Sequence, residues 1–139
     1  MNLSSIALLI SILLHASLSA EPVIHKNCQF LFKAIREKSY LAVVDALALK
    51  GVNSECKDNN GNTAVHYFAY YREDCRILAL LVFHAGHRLD QANDAGETPL
   101  EMAYRINNQK ALRAIISFST PINPVTIPAD IQKSFSSTP

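Results

Sequence analysis

Apolar and polar residues along the chain fall into short helical runs divided by turn-forming stretches. Ile6 to Leu14 is an apolar run with Ser11 its one polar residue. From Cys28 the pattern changes to helical spacing. Phe30, Leu31, Ala34 and Ile35 share one face, with Lys33 and Glu37 on the wet side, which predicts a helix over about 29–37. Val43, Val44, Leu47 and Ala48 form a second stripe, a helix over about 40–49 that Gly51 ends where a positive φ favours glycine. Beyond the turn-rich stretch Val52 to Gly61, helices are expected over about 64–71 and 75–84, the second closed by Gly86. A last pair is expected over about 99–105 and 108–117, with Ala111, Leu112, Ile115 and Ile116 facing inward. Glu21 to Asn27 reads as polar and extended. The fold class is all-α.

The helices come in pairs, and the pairs repeat. Gly61-Asn62-Thr63-Ala64-Val65-His66, with Ala69 following, is echoed by Gly96-Glu97-Thr98-Pro99-Leu100-Glu101, with Ala103 following. Gly61 to Gly96, Thr63 to Thr98 and Gly51 to Gly86 are each steps of 35 residues. A period in this range signals stacked helical repeats. The two blocks resemble the ankyrin repeat, whose pattern is a tight turn, T-P-L-H-x-A opening a first helix, and a second helix ending in Gly. Thr98-Pro99-Leu100 is intact, with Glu101 in place of the His; Thr63 to His66 keeps the Thr and the His and lacks the Pro. In the first pair, Phe30 to Ile35 stands where the motif would be, without its Thr and Pro, so this pair reads as an irregular N-terminal cap.

The resemblance implies an ankyrin-repeat solenoid of about three helix pairs joined by β-hairpin loops, over residues 21–118, with repeats at about 28–57, 58–92 and 93–118. The second repeat exceeds the family's usual period, and its extra length is expected between Tyr70 and Arg76. The resemblance also assigns roles. Gly61 and Gly96 sit in hairpin turns, Thr63 and Thr98 cap the first helices, and Pro99 takes a first helical turn. Asp58 accepts backbone N–H groups in its turn, and Asn93 stands at the matching place. His66 bonds within the turn network and ties neighbouring repeats together.

The two ends of the chain differ in composition. Residues 119–139 hold Pro121, Pro124, Pro128 and Pro139 among many Ser and Thr. A floppy, irregular tail is expected. The alternative is an extended segment lying back over the end of the stack, with a short helix at about 129–135. At the other end, small residues up to Ala20 follow the apolar run, and residues 1–20 read as a secretory signal peptide cleaved after Ala20. No Lys or Arg precedes the apolar run, and an uncleaved N-terminal anchor is the alternative. The expected product is secreted or periplasmic, with no stable membrane anchor after cleavage. Cys28, Cys56 and Cys75 are an odd number, so an exported chain keeps at least one thiol free or intermolecular. The resemblance sets Cys28 and Cys56 close together, where a disulfide is one alternative. Three reduced, partly buried thiols is the preferred reading, because so few cysteines do not make a disulfide scaffold.

A formal charge of +1 gives no strong field, so neither nucleic acid nor anionic lipid is an expected partner. Five His, with Glu73 and Asp74, form no metal-binding spacing; His84 and His87 are separated by the helix-breaking Gly86. The chain has no Cys-x-x-Cys, no nucleophile elbow and no glycine-rich phosphate loop. No metal, no cofactor and no enzymatic activity is expected. What the resemblance implies is binding to another protein, on the face made by hairpin tips and first helices. Carried over position by position, that face holds Lys38, with Glu37 beside it, in the cap and Asn59, Asn60, Asn62, Tyr70 and Tyr71 in the second repeat. In the third it holds Asp94, Glu97 and Arg105, with Ala95 and Ile106 beside them. Tyr70 and Tyr71 are the expected anchors, because tyrosine combines contact area with a polar handle. The run Tyr67 to Tyr71 carries more rings than a slender helix pair can bury, so at least one should be exposed; the alternative is that they pack under the neighbouring loop. An inhibitor or helper of an exported enzyme or toxin, a secreted bacterial factor engaging a host protein, and a structural subunit all fit these features.

Overall fold

The computed structural model of the protein describes residues 2–19, 23–71 and 74–136. In chain order its helices are α1 (Leu3–Ser19), α2 (Val23–Arg36), α3 (Tyr40–Leu47), α4 (Ala64–Tyr71), α5 (Cys75–Ala79), α6 (Pro99–Arg105), α7 (Gln109–Ser117) and α8 (Ala129–Ser136). A π-helical turn, Leu80–His84, continues α5. Helices α2, α4 and α6 form one layer, and α3, α5 and α7 form a second layer behind it. Leu31, Ile35, Val65, Phe68, Ile77, Leu81, Leu100, Leu112 and Ile115 fill the space between and are fully buried. Each such side chain contributes roughly 1.5–3 kcal/mol by leaving water.

Local chemistry sets the helix ends. Ser39 caps α3 by accepting from Ala42 N–H, and Asp74 caps α5 by accepting from Arg76 N–H. Thr98 and Glu101 form a reciprocal capping box on α6, with Pro99 in the first turn. Asn108 caps α7 by accepting from Ala111 N–H at 3.2 Å, and its amide donates to Ala69 C=O at 2.6 Å. That buried side chain joins the end of α4 to the start of α7, and both its functions are satisfied.

The first pair departs from the expected pattern. Helix α2 begins at Val23, so residues 23–27 are helical and not extended. Asn27 Nδ2 donates to Lys50 C=O at 2.7 Å and ties this added turn to the end of α3. Phe30 is outside and Phe32 inside, because Phe32 stacks on Tyr67 of α4 with ring centroids 4.6 Å apart. In α3 the buried residues are Val43 and Ala46, while Val44 and Ala48 face solvent. A terminal pair has one neighbour, and only the side facing it is covered.

The extra length of the second repeat does not all fall between its helices. The step from the start of α4 to the start of α5 is one residue longer than that from α6 to α7. The rest sits in the π turn, where the Ala85 N–H reaches back five residues to Leu80 C=O at 3.2 Å. A π turn absorbs an inserted residue without ending the helix. Arg72 and Glu73, part of the loop expected to be enlarged, lie outside the described residues.

The connections are hairpin turns without β-strands among the described residues. In one, Asp58 N–H bonds Asn62 C=O at 3.0 Å; in the next, Asn93 N–H bonds Glu97 C=O at 2.9 Å. Gly61 and Gly96 take φ of +74° and +77° in these turns. The preferred reading of three free thiols is overturned. Cys28 and Cys56, both buried, form a disulfide with Cα atoms 5.6 Å apart, stapling α2 to the loop after α3. Cys75 is free and exposed, not partly buried. The floppy tail is overturned too. Asn123 accepts from Leu89 N–H and donates to His87 C=O, at 3.0 and 3.1 Å, and Ile131 of α8 is buried in the core. Val125 and Ile127 pack against the core beside Ile131, whereas Ile122 and Phe135 are exposed.

No described helix is long and apolar enough to cross a membrane. Helix α1 exposes Leu3, Leu8 and Ile10. The expected cleavage point after Ala20 lies outside the described residues.

Candidate protein-binding surface

Two hairpin turns and three first helices, α2, α4 and α6, build this face. Asp58 organises the first turn. Its Oδ1 accepts N–H from Asn60 and Asn62, both at 2.8 Å, and its Oδ2 accepts from Asn62 Nδ2 at 3.1 Å and from the Tyr67 hydroxyl at 3.0 Å. Burial alone would raise its pKa, but the donors from Asn62, Asn60 and Tyr67 outweigh this and hold the carboxyl below its ordinary value. Tyr67 is pushed up to about 12, by burial first and then by the Asp58 charge. Asn93 repeats the arrangement, accepting N–H from Ala95 and Glu97 at 3.0 Å. As an amide it also donates, to Asn62 Oδ1 at 2.9 Å, which a carboxylate could not do. The substitution of Asn for the expected Asp therefore adds a bond between repeats.

His66 makes the second tie. Its Nδ1 accepts from the Thr63 N–H at 3.1 Å and the Thr63 hydroxyl at 3.0 Å. Nε2 then carries the proton and donates to Glu97 C=O at 2.9 Å, across the repeat boundary. Thr63 is thus not a cap that accepts from the helix, as expected; its hydroxyl serves the imidazole. Burial lowers the His66 pKa against the opposing pull of Glu97, which keeps the ring neutral. A third tie runs from Asp94 N–H to Asn60 C=O at 3.0 Å, over Gly61.

A ladder of rings runs along this face. Phe32 stacks on Tyr67, Tyr67 lies 6.0 Å from Tyr71, and Tyr71 meets Tyr70 edge-on at 4.9 Å. Tyr70 is 54% exposed, whereas Tyr71 is partly covered by its neighbours. Tyr70, Tyr71 and Asn62 line a groove of about 180 Å³ with His66, Tyr67 and Met102. An adjoining cleft of about 470 Å³ lies between Phe32, Lys33 and Arg36 of α2 and Lys57, Asp58 and Asn59 of the hairpin, with Tyr67 between them.

A model of three ankyrin repeats matches residues 31–125, more than half of the chain. The chain belongs to the ankyrin-repeat family. The match takes in the irregular first pair and runs into the tail. A search of curated proteins finds no significant match. As an ankyrin-repeat protein the chain is a protein–protein interaction module, of a family typically without enzymatic activity. Among the described residues no group of His, Cys, Asp and Glu could hold a metal ion.

The residues expected on the binding face separate into four places. Asn59, Asn62, Tyr70 and Tyr71 share the groove and cleft just described. Asn60 and Asp94 are exposed at the hairpin tips, with their backbones bonded to each other. Glu97 and Arg105 form a bidentate ion pair at 2.6 and 3.0 Å, beside a depression of about 370 Å³ closed by α8. Lys38 is exposed at the end of α2 with φ of +57°, away from either cleft. Sequence reasoning missed Phe32, Arg36, Lys57 and Tyr67. The spacing of Gln29, Phe32, Lys33 and Arg36 on one helical face was the available signal.

Proposed function

We propose that this ankyrin-repeat protein is exported and holds a partner protein against the face of hairpin tips and first helices, inhibiting or assisting a partner enzyme or toxin. The observation that carries the binding face is the ring ladder ending in exposed Tyr70, beside an open groove, on elements cross-tied into one rigid unit. A rigid aromatic at the edge of a groove binds at low entropic cost. The Cys28–Cys56 disulfide supports export, because such bonds persist in oxidising compartments. So does the apolar run that ends in small residues at Ala20.

The test has two parts. Expression of the full chain in the producing cell, followed by mass spectrometry of the extracellular and periplasmic fractions, should find a chain beginning at Glu21. Retention of the intact chain in the cytoplasm refutes export. Affinity capture with the wild-type chain and with the Tyr70→Ala, Tyr71→Ala double variant should yield a stoichiometric partner that the variant loses while its circular dichroism is unchanged. If the variant unfolds, the rings belong to the core and the proposed anchor is wrong.

A further inference from the structure

We infer that the cleft between α2 and the first hairpin receives an acidic, extended segment of the partner protein. This rests on the binding reading above and specifies its chemistry. Lys33 and Arg36 lie on one face of α2, three residues apart, and Lys57 faces them from the hairpin. The floor is the Phe32–Tyr67 stack. The excess of positive charge is local, since the whole chain carries only +1.

Three of the four ion pairs among the described residues, Arg76–Asp74, Arg88–Asp90 and Arg105–Glu97, neutralise cations elsewhere. Lys33 is loosely paired with Glu37 at 3.7 Å, on the solvent side. Arg36 and Lys57 have no carboxylate partner among the described residues. The one carboxylate in the cleft, Asp58, contributes one negative charge but accepts from four neutral donors, so its hydrogen-bonding capacity is filled and it forms an ion pair with neither cation. Two cations therefore face a cleft whose own anion is fully engaged. Carboxylates of an incoming segment would meet Arg36 and Lys57 while an apolar side chain between them rests on the ring floor. Arginine favours such carboxylates through its paired donors. The Glu97–Arg105 end of the face is self-neutralised, so the charge preference should be confined to the α2 side.

The test uses synthetic fluorescein-labelled peptides of about ten residues, long enough in extended form to cross the cleft. They share a central Leu-Phe pair and differ only in flanking Glu, Gln or Lys. Anisotropy titrations of the full oxidised chain should show the Glu peptide binding at least about tenfold more tightly than the Gln peptide, with the Lys peptide weaker still. The gap should narrow as NaCl rises from about 50 to about 300 mM. Arg36→Glu with Lys57→Glu should reverse the order, favouring the Lys peptide, with the thermal midpoint within a few degrees of wild type. Amide shifts on adding the Glu peptide should cluster at residues 29–36 and 57–67. Equal affinity for the Glu and Gln peptides, an order unmoved by the double variant, shifts centred elsewhere, or equally tight binding of single-stranded oligonucleotide would each overturn the inference. Should the captured partner depend on Tyr70 and Tyr71 while the peptides show no charge preference, this inference falls and the binding module stands. A charge preference at the cleft with no partner lost on changing Tyr70 and Tyr71 overturns the anchor assignment alone.

Discussion

Gly61 and Gly96 occupy equivalent hairpin turns with nearly the same positive φ, but only Gly61 lies under a neighbouring chain segment. A Cβ built on Gly96 meets nothing within 4 Å. A Cβ on Gly61 overlaps the Asp94 carboxylate and lies 2.9 Å from the Asp94 backbone nitrogen. Gly96→Ala therefore isolates the cost of left-handed backbone, about 1–2 kcal/mol, reduced by roughly 0.4–1 kcal/mol because alanine restricts the unfolded chain. A net loss of about 1 kcal/mol is expected. Gly61→Ala carries the same cost and adds a steric one. The carboxylate can swing aside, but the backbone nitrogen cannot move without stretching the Asp94 N–H to Asn60 C=O bond, now 3.0 Å. Losing that bond costs about 1 kcal/mol, and forcing the turns apart costs on the order of 1–2 kcal/mol more. The expected loss is about 3–4 kcal/mol, and the difference between the two variants is about 2–3 kcal/mol. Urea denaturation of the oxidised full chain, followed by circular dichroism, measures both. Losses that agree within about 0.5 kcal/mol would refute the claim that hairpin stacking over Gly61 couples the second and third repeats.

Two further outcomes follow from the same structure. Reducing the Cys28–Cys56 bond, which closes a sequence separation of 28, should lower stability by about 3.5 kcal/mol on the chain-entropy relation; a denaturation midpoint unchanged by reductant would show that the bond is not formed. His87 is buried with neither ring nitrogen hydrogen-bonded, and burial lowers its pKa to about 4. Above pH ~6.5 neither folded nor unfolded chain protonates it; between ~6.5 and ~4 only the unfolded chain does, so stability falls by about 1.4 kcal/mol per unit and by about 3 kcal/mol in all, with no further loss below. His87→Leu should make the fall across that window shallower, leaving the part due to His66, and a profile matching wild type would show that another group controls it.

The helices of the second and third repeats were legible because their signals are local. Thr98, Pro99 and Glu101 specify the start of α6 by themselves, and the apolar stripe of α7 is nearly complete. What was illegible depends on a neighbour. Phe32 is inside and Phe30 outside because Tyr67, in the next helix pair, stacks on one and not the other. The Cys28–Cys56 bond and the Asn123 clamp join residues far apart in sequence, and composition does not encode such meetings. The π turn shifts a hydrogen bond by one residue and leaves no compositional mark. The same division runs through the candidate surface. Asn62, Tyr70 and Tyr71 sit at places the repeat pattern names, whereas Arg36 and Phe32 belong to a pair whose motif has decayed. Asn108 stands in sequence at the start of the expected last helix, and only the structure shows that it caps that helix and, through Ala69, is a strut between helices.

Glu101, standing where the second repeat has His66, limits how the array can change length. An imidazole presents nitrogens on two edges, one for its own Thr63 and one for the following Glu97. The bonds of Glu101 go back to its own Thr98. A unit duplicated from the second repeat would arrive with the histidine, the turn glycine and the threonine needed to grip whatever follows it. A unit duplicated from the third would arrive without a reaching arm and would have to displace α8. The imidazole tie therefore occurs at one boundary of this array, between the second and third units, and the residue at position 101 turns its bonds inward where the stack meets α8.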